Sequence, residues 1–498
     1  MRKVLIGWLV IQCALVGCAG SSSSDQSSDP AVSQITPTSA PTLAPTAAPG
    51  VEPSPTPTVL STPISTPITT PATTPSSSPS STPTASPSSL PTAQPSGTPS
   101  PGPLNPSAMK VLHKTTAKTG WYTDTWANPT VSDGNARYFV YVALDLRAMV
   151  GRIDANGLVT EKEIESGYAV TDDGHNEFTI GIDKDGFLHI LGDMHNNSLR
   201  YWRSSQPRSI DSFEKKFGDI PDTSFTYYRF HIDQNSELYL SARVQTLDTY
   251  YERGGRGVGL FAYEASSKKW LTRGELPSKE DAVHPVVFWQ NSGQNGGSYQ
   301  MYKTDILFDA NNRMHMAFMV NTNDSENRHN YAVYAYSDDG GVSFQRADGT
   351  KLTLPMSIGD QAREPDVLAG YQNADLSEHA SLFRDENNRP AVYFALDGDT
   401  YYRYLRKEDG QNTWSSNVLI RSGECERCRP FYNEQDRRFY FSDGPNLYYG
   451  TELGKPMQRL VLSIPIFRWD VQSAQYRGEF AGVQWSSRDG TWQLVSFN

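Results

Sequence analysis

Lysine and arginine are absent from residues 19–106, cysteine occurs four times in 498 residues, and no apolar run is long enough to span a membrane. Each absence excludes something. Cys13 and Cys18 lie at the N-terminal end, so Cys425 and Cys428 alone cannot supply the multi-bridge framework of a disulfide-stapled domain. The apolar stretch at residues 4–16 falls short of the ~20 residues that a membrane helix needs. Helical periodicity is missing from residues 107–498, which excludes a helical-bundle reading. Positive charge is in deficit. The net charge is −11, and residues 107–498 hold 42 Lys and Arg against 52 Asp and Glu, which argues against nucleic acid as a partner.

The N-terminal end reads as an export signal. Arg2-Lys3 precedes the short apolar stretch, which ends in Leu15-Val16-Gly17-Cys18. Small residues before a cysteine in this position form a lipobox. Residues 1–17 are therefore expected to be a lipoprotein signal peptide, with Cys18 as the lipidated first residue. Ala19 after the cysteine points to an outer-membrane lipoprotein whose globular domain faces the periplasm or the cell surface. Residues 18–106 hold the lipidated cysteine and 21 of the chain's 33 prolines, many at intervals of four, with Ser, Thr and Ala between them. Such a segment cannot bury enough apolar surface to fold. In extended polyproline form, at about 3.1 Å per residue, it would reach on the order of 200 Å as a disordered stalk.

Residues 107–498 repeat one pattern at intervals of roughly 50 residues: a strand, an Asp/Asn/Gly turn and a second strand of alternating apolar residues. It recurs at Phe178–Ile190, Tyr228–Leu240, Thr304–Phe318, Ala380–Phe394 and Pro430–Phe441, with further strands near residues 138–142 and 480–484. The segment from Ser337 to Phe344 matches the Asp-box, a turn between outer propeller strands, and residues 407–414 and 487–492 look like degraded copies. The expected fold is all-β: a monomeric β-propeller of seven blades, with six or eight as the bounds.

Two histidines flank one of these hairpins, His175 in Gly-His-Asn-Glu and His195 in Asp-Met-His-Asn-Asn, so both can project into one cleft. Histidine carries a proton near neutral pH. Tyr227 and Arg243 follow in the next repeat. Two His, a Tyr and an Arg form a proton-transfer set with an anion clamp, which suits removal of a proton beside a carboxylate. His189, His231 and His315 are read as packing residues within strands.

Together with the Ile-Asp-Lys-Asp-Gly turn at 182–186, the Gly254-Gly255-Arg256-Gly257 turn and Thr226-Tyr227-Tyr228-Arg229-Phe230, these motifs resemble the BNR-repeat polysaccharide lyases, specifically the propeller-type ulvan lyases. Tyr228 stands where that family has Pro, and Ala242 where it has Tyr before the Arg. The resemblance implies β-elimination at a uronic acid of an anionic, sulfated polysaccharide. Arg243 would clamp the carboxylate with His195 assisting, and His175 and Tyr227 would carry the proton transfers. Asn176, Asn196, Arg229 and Arg256 would bind substrate. A sialidase-like glycoside hydrolase and a non-catalytic glycan-binding lipoprotein on the same fold are the competing readings.

Cys425-Glu-Arg-Cys428 is the remaining sharp motif. A Cys-x-x-Cys pair can be half of a structural zinc site, with His379 and His284 as further ligands, which the family resemblance also implies. In an oxidising compartment the alternative is a disulfide within the motif.

Overall fold

Four of the inner hairpins each turn on one aspartate. The Oδ1 of Asp183 accepts the backbone N–H groups of Asp185 and Phe187. Asp233, Asp309 and Asp385 do the same two and four residues on. The carboxylate stands in for a backbone acceptor and fixes the reversal. The sequence pattern is therefore a set of capped turns repeated around the molecule.

The computed structural model describes residues 109–497, except 119–126, 216–219, 221–222, 247–255, 279–281, 291–297, 324–328, 371–375, 377–379, 409, 424, 426–428, 434–435, 463, 471–472, 474–478 and 487. The expected signal peptide, Cys18 and the Pro-rich stretch lie outside the described residues. Seven antiparallel sheets follow one another along the chain, giving the seven blades expected. Blade one runs from Thr130–Ser132 to Val159–Glu163, blade two from Phe178–Ile182 to Phe213–Lys215, and blade three from Phe225–Ile232 to Lys269–Arg273. Blade four begins at Ser298–Phe308, blade five at Ser381–Arg384 and blade six at Phe431–Asn433. Blade seven combines Ile466–Trp469, Ala481–Trp485 and Thr491–Ser496 with the chain's first strand, Lys110–Thr116, on its outer edge. This closure is not anticipated by the sequence pattern.

The core is a ring of seven apolar layers, one at each junction between neighbouring blades. Inner strands are covered on both faces, so Phe178–Ile182 and Leu188–Gly192 are buried throughout. Fourth strands such as Val159–Glu163 face water and are mostly polar. The Asp-box has its expected form. Asp339 accepts from Ser337 Oγ, Ser343 N–H and Ser343 Oγ, and Phe344 is fully buried in the layer between blades three and four.

Where the first strands of the blades converge, charged groups replace apolar ones. Asp305 of blade four accepts from Arg229 Nη1 of blade three at 2.7 Å and Arg429 Nη2 at 2.8 Å, and its Oδ2 also takes the Leu382 N–H of blade five. Arg229 Nε and Arg468 Nη2 of blade seven share Asn128 Oδ1, at 3.1 and 2.9 Å. Burial alone would push the Asp305 carboxyl up; Arg429 and Arg229 outweigh it and hold the carboxyl below its ordinary value. Removing one partner of a buried pair leaves the other charge uncompensated. Asp305→Ala should therefore cost about 3–5 kcal/mol in urea unfolding. Arg147→Ala, which breaks an exposed pair with Asp145, should leave the midpoint of the same assay nearly unchanged.

Candidate active site

Phe178 and Gly192 are register partners at one end of the first hairpin of blade two. His175 stands three residues before Phe178 and His195 three residues after Gly192. The pairing that builds the hairpin thus delivers both imidazoles to the same place. Glycine is required at 192, because a Cβ there would lie 2.1 Å from the Phe178 ring. The two imidazoles stack with centroids 4.0 Å apart and planes inclined by 25°.

Asp173 binds both rings. Its Oδ1 meets His175 Nδ1 at 2.8 Å and its Oδ2 meets His195 Nδ1 at 2.9 Å. Partial burial pushes its carboxyl up, but hydrogen bonds from the His175 N–H and from both imidazoles outweigh this and hold it at about 2. An ionised carboxylate only accepts, so both Nδ1 atoms carry protons, and an imidazole in its neutral form keeps its lone pair on Nε2. Burial lowers the pKa of His195 first of all, and the charges of His175 and Arg243 add to that against the pull of Asp173. These influences together shift His195 toward its neutral form.

The loop that carries His195 is fastened at both ends. Asp193 and Asn196 adopt left-handed φ values of 58° and 60°. Asp193 takes the Thr171 N–H at 3.0 Å and also binds Tyr168 Oη and Arg200. Asn196 donates its N–H to Phe225 O at 2.9 Å, and its Oδ1 accepts from Thr226 Oγ1 at 2.9 Å and from Arg243 Nη2 at 3.4 Å. Asn196 thus ties the histidine loop to the arginine of blade three.

Tyr227 lies in a β-bulge between Thr226 and Arg229, with φ 52°. Bulges re-aim side chains beside active sites. Arg243 pairs in register with Thr226, and its guanidinium sits 4.6 Å from the centroid of the Tyr227 ring and 5.1 Å from that of Tyr302. Arg243 is 6% exposed, and its Nε and Nη1 have no hydrogen-bond partner. Nε and Nη1 of this buried cation thus keep unused hydrogen-bonding capacity.

The structure brings His175, His195, Asn196, Tyr227 and Arg243 together and distributes the other expected residues elsewhere. Arg229 is 1% exposed and belongs to the Asp305 network, so it is a structural cation and not a substrate ligand. Asn176 is 1% exposed and donates to Thr171 O, which shapes the histidine loop. Arg256 pairs with Gln245, two rungs from the Arg243–Val258 pair and on the same sheet face. Gly254 and Gly255 lie outside the described residues. His189 and His315 are buried against Tyr201 and Tyr334, as expected of packing residues.

Of the four residues expected to hold zinc, Cys425 and His284 are described, and they lie at different blades. Cys425 is disulfide-bonded, the alternative weighed for its motif, and a disulfide sulfur is not a thiolate ligand. His284 packs on Phe261 of blade three and engages Pro285 O, whereas Cys425 lies in the layer between blades five and six. Cys428 and His379 lie outside the described residues. Asp173, His175 and His195 are spaced as a metal triad could be.

The sequence motifs did not single out Asp173, Tyr302 or Lys303. Asp173 stands two residues before His175, and its place in the motif was the available signal. Tyr302 and Lys303 come from the next blade, and Lys303 Nζ lies 5.3 Å from the Tyr227 ring centroid. Asp173 favours the charged form of His195, so its removal should move the His195 titration to lower pH. NMR titration of Asp173→Asn against the parent protein checks the direction.

The chain matches the BNR repeat-containing family over residues 136–421. Its fold is similar to that of a PL25 ulvan lyase, with 12% identity and a TM-score of 0.56 over 78% of this chain and 96% of that one. The polysaccharide lyase Uly1 gives 13% and 0.55 over 76% and 91%. The PL25 ulvan lyase bound to -[GlcA(1-4)Rha3S]- gives 11% and 0.54 over 78% and 96%. No curated protein matches by sequence. The family match takes in blades one to five and more than half of the sequence, and the protein belongs to the BNR repeat-containing family.

Proposed function

We propose that this protein is a polysaccharide lyase that cleaves a uronate-bearing, sulfated polysaccharide of the ulvan type by β-elimination. The observation that carries this reading is Arg243: a buried guanidinium with two unpartnered nitrogens, standing over Tyr227 and bonded to the loop of His195. The fold shared with ulvan lyases, one of them bound to -[GlcA(1-4)Rha3S]-, supports the choice of polymer.

The chemistry follows from the groups present. The C5 proton of a uronate is weakly acidic, and charge builds on the carboxylate as it leaves. Arg243 holds that carboxylate and stabilises the enolate. His175 and Tyr227 supply the base and the acid between them. The C5–H electron pair becomes the C4=C5 double bond, the C4–O4 bond breaks, and O4 takes up a proton. Asp173 keeps the Nδ1 protons in place, so that the Nε2 lone pairs face away from it. The expected lipid anchor on Cys18 would place the domain on the outer membrane, where extracellular polymers arrive.

A hydrolytic mechanism finds less support. It requires a carboxylic acid that donates a proton, and Asp173, held at about 2 with each oxygen on an imidazole, stays ionised. Incubation of the protein with ulvan should raise the ultraviolet absorbance of unsaturated uronate, near 235 nm. His175→Ala should lower the rate by about a hundredfold or more. New reducing ends without that absorbance would replace the lyase reading with a hydrolase, and binding without turnover would replace it with a glycan-binding protein.

A further inference from the structure

Blades three and four repeat one irregularity side by side. Tyr227 stands six residues before the turn aspartate Asp233, and Lys303 six residues before Asp309. The first strand of each blade carries a bulge there, between Thr226 and Arg229 in blade three and between Tyr302 and Asp305 in blade four. Both residues are in the left-handed region, with φ 52° and 40°. Non-glycine residues occupy this region at an energetic penalty and are retained where the re-aimed side chain is used. The two bulges turn equivalent side chains toward each other. Lys303 Nζ lies 5.3 Å from the Tyr227 ring centroid, although Lys303 is only 3% exposed. The charged and titratable neighbours of Tyr227 include Arg243 from its partner strand and Tyr302 and Lys303 from the next blade, and both charges among them are positive.

We propose that Lys303 is a positioning residue for catalysis: its buried ammonium stabilises the phenolate through which Tyr227 passes when it exchanges a proton with the sugar. The inference rests on the lyase reading. It holds for either proton-transfer role. As base, the phenolate takes the C5 proton and becomes the phenol. As acid, the phenol gives its proton to O4 as the C4–O4 bond breaks and becomes the phenolate. In both cases one half of the cycle contains a negative oxygen on Tyr227, and exchange with solvent resets it. A cation within about 4–6 Å favours that charged form. Lys303 acts through Tyr227, whereas Arg243 has N–H groups free for the substrate carboxylate.

The test is a double-mutant cycle read by unsaturated-uronate absorbance. Lys303→Met should lower kcat about tenfold or more with KM nearly unchanged. The limb of the pH profile that belongs to Tyr227, acidic if it is the base and alkaline if it is the acid, should move to higher pH. Lys303→Arg keeps the charge and should restore most of the rate. In a Tyr227→Phe background, Lys303→Met should remove nothing more. An equal loss in both backgrounds, a change confined to KM, or an unshifted profile overturns the proposal. A second readout needs no substrate. Ultraviolet difference titration of the parent against Tyr227→Phe isolates the Tyr227 ionisation, which should move to higher pH in Lys303→Met. If the parent shows no elimination on any uronate polymer, the lyase reading fails, while this titration still decides whether Lys303 and Tyr227 are coupled. If Lys303→Met does not fold, Lys303→Gln takes its place in both measurements, with Lys303→Arg as the charged control.

Discussion

One buried carboxylate holds together strands from distant parts of the chain. Asp305 receives Arg229, Arg429 and the Leu382 N–H, so that blades three to six meet on a single side chain. Asn128 joins Arg229 to Arg468 and extends the same network to blades one and seven. Apolar layers between neighbouring blades are interchangeable in kind, since each is a stack of aromatic and branched side chains. The central network is not, because each guanidinium must find its own acceptor. It therefore sets how the blades are placed around the axis, and with that how far the His175–His195 loop of blade two stands from Arg243 of blade three.

The active-site cluster is built on that placement with few additional devices. A register pair sends two histidine loops to one end of a hairpin, and one aspartate gives both imidazoles the same tautomer. A single asparagine side chain joins that loop to the arginine of the next blade. The titrating groups differ in setting. Asp173 stays ionised, His195 is shifted toward its neutral form, and Tyr227 lies between cations. Environment, more than residue type, separates their roles.

Much of this was legible in the sequence, for a physical reason. Turn aspartates and period-two strands are local signals, so the hairpins, the blade number and the Asp-box could be read directly. The two histidines were legible because hairpin geometry is local too. Arg229 was misread as a substrate ligand because its partners, Asp305 and Asn128, are remote in sequence. Lys303 was overlooked for a similar reason: a bulge that re-aims a side chain leaves no mark in the apolar pattern, and its neighbour Tyr227 belongs to another blade. His284 parts from the expected zinc set on distance, since spacing along the chain cannot show that it packs on blade three while Cys425 lies between blades five and six.

The closure of blade seven has a consequence for how the molecule comes to exist. Thr116 pairs with Thr491, across roughly 375 residues of chain. Bringing ends that far apart together costs roughly 5 kcal/mol in chain entropy before any contact is gained. The first strand made is therefore the last to find its partner. Six blades can assemble while the outer edge of the seventh stays open, and an exposed strand edge is a template for joining another chain. The ring is least protected from misassembly in the interval before its C-terminal strands arrive, and the strand that completes it, Lys110–Thr116, is the earliest-made strand of the propeller.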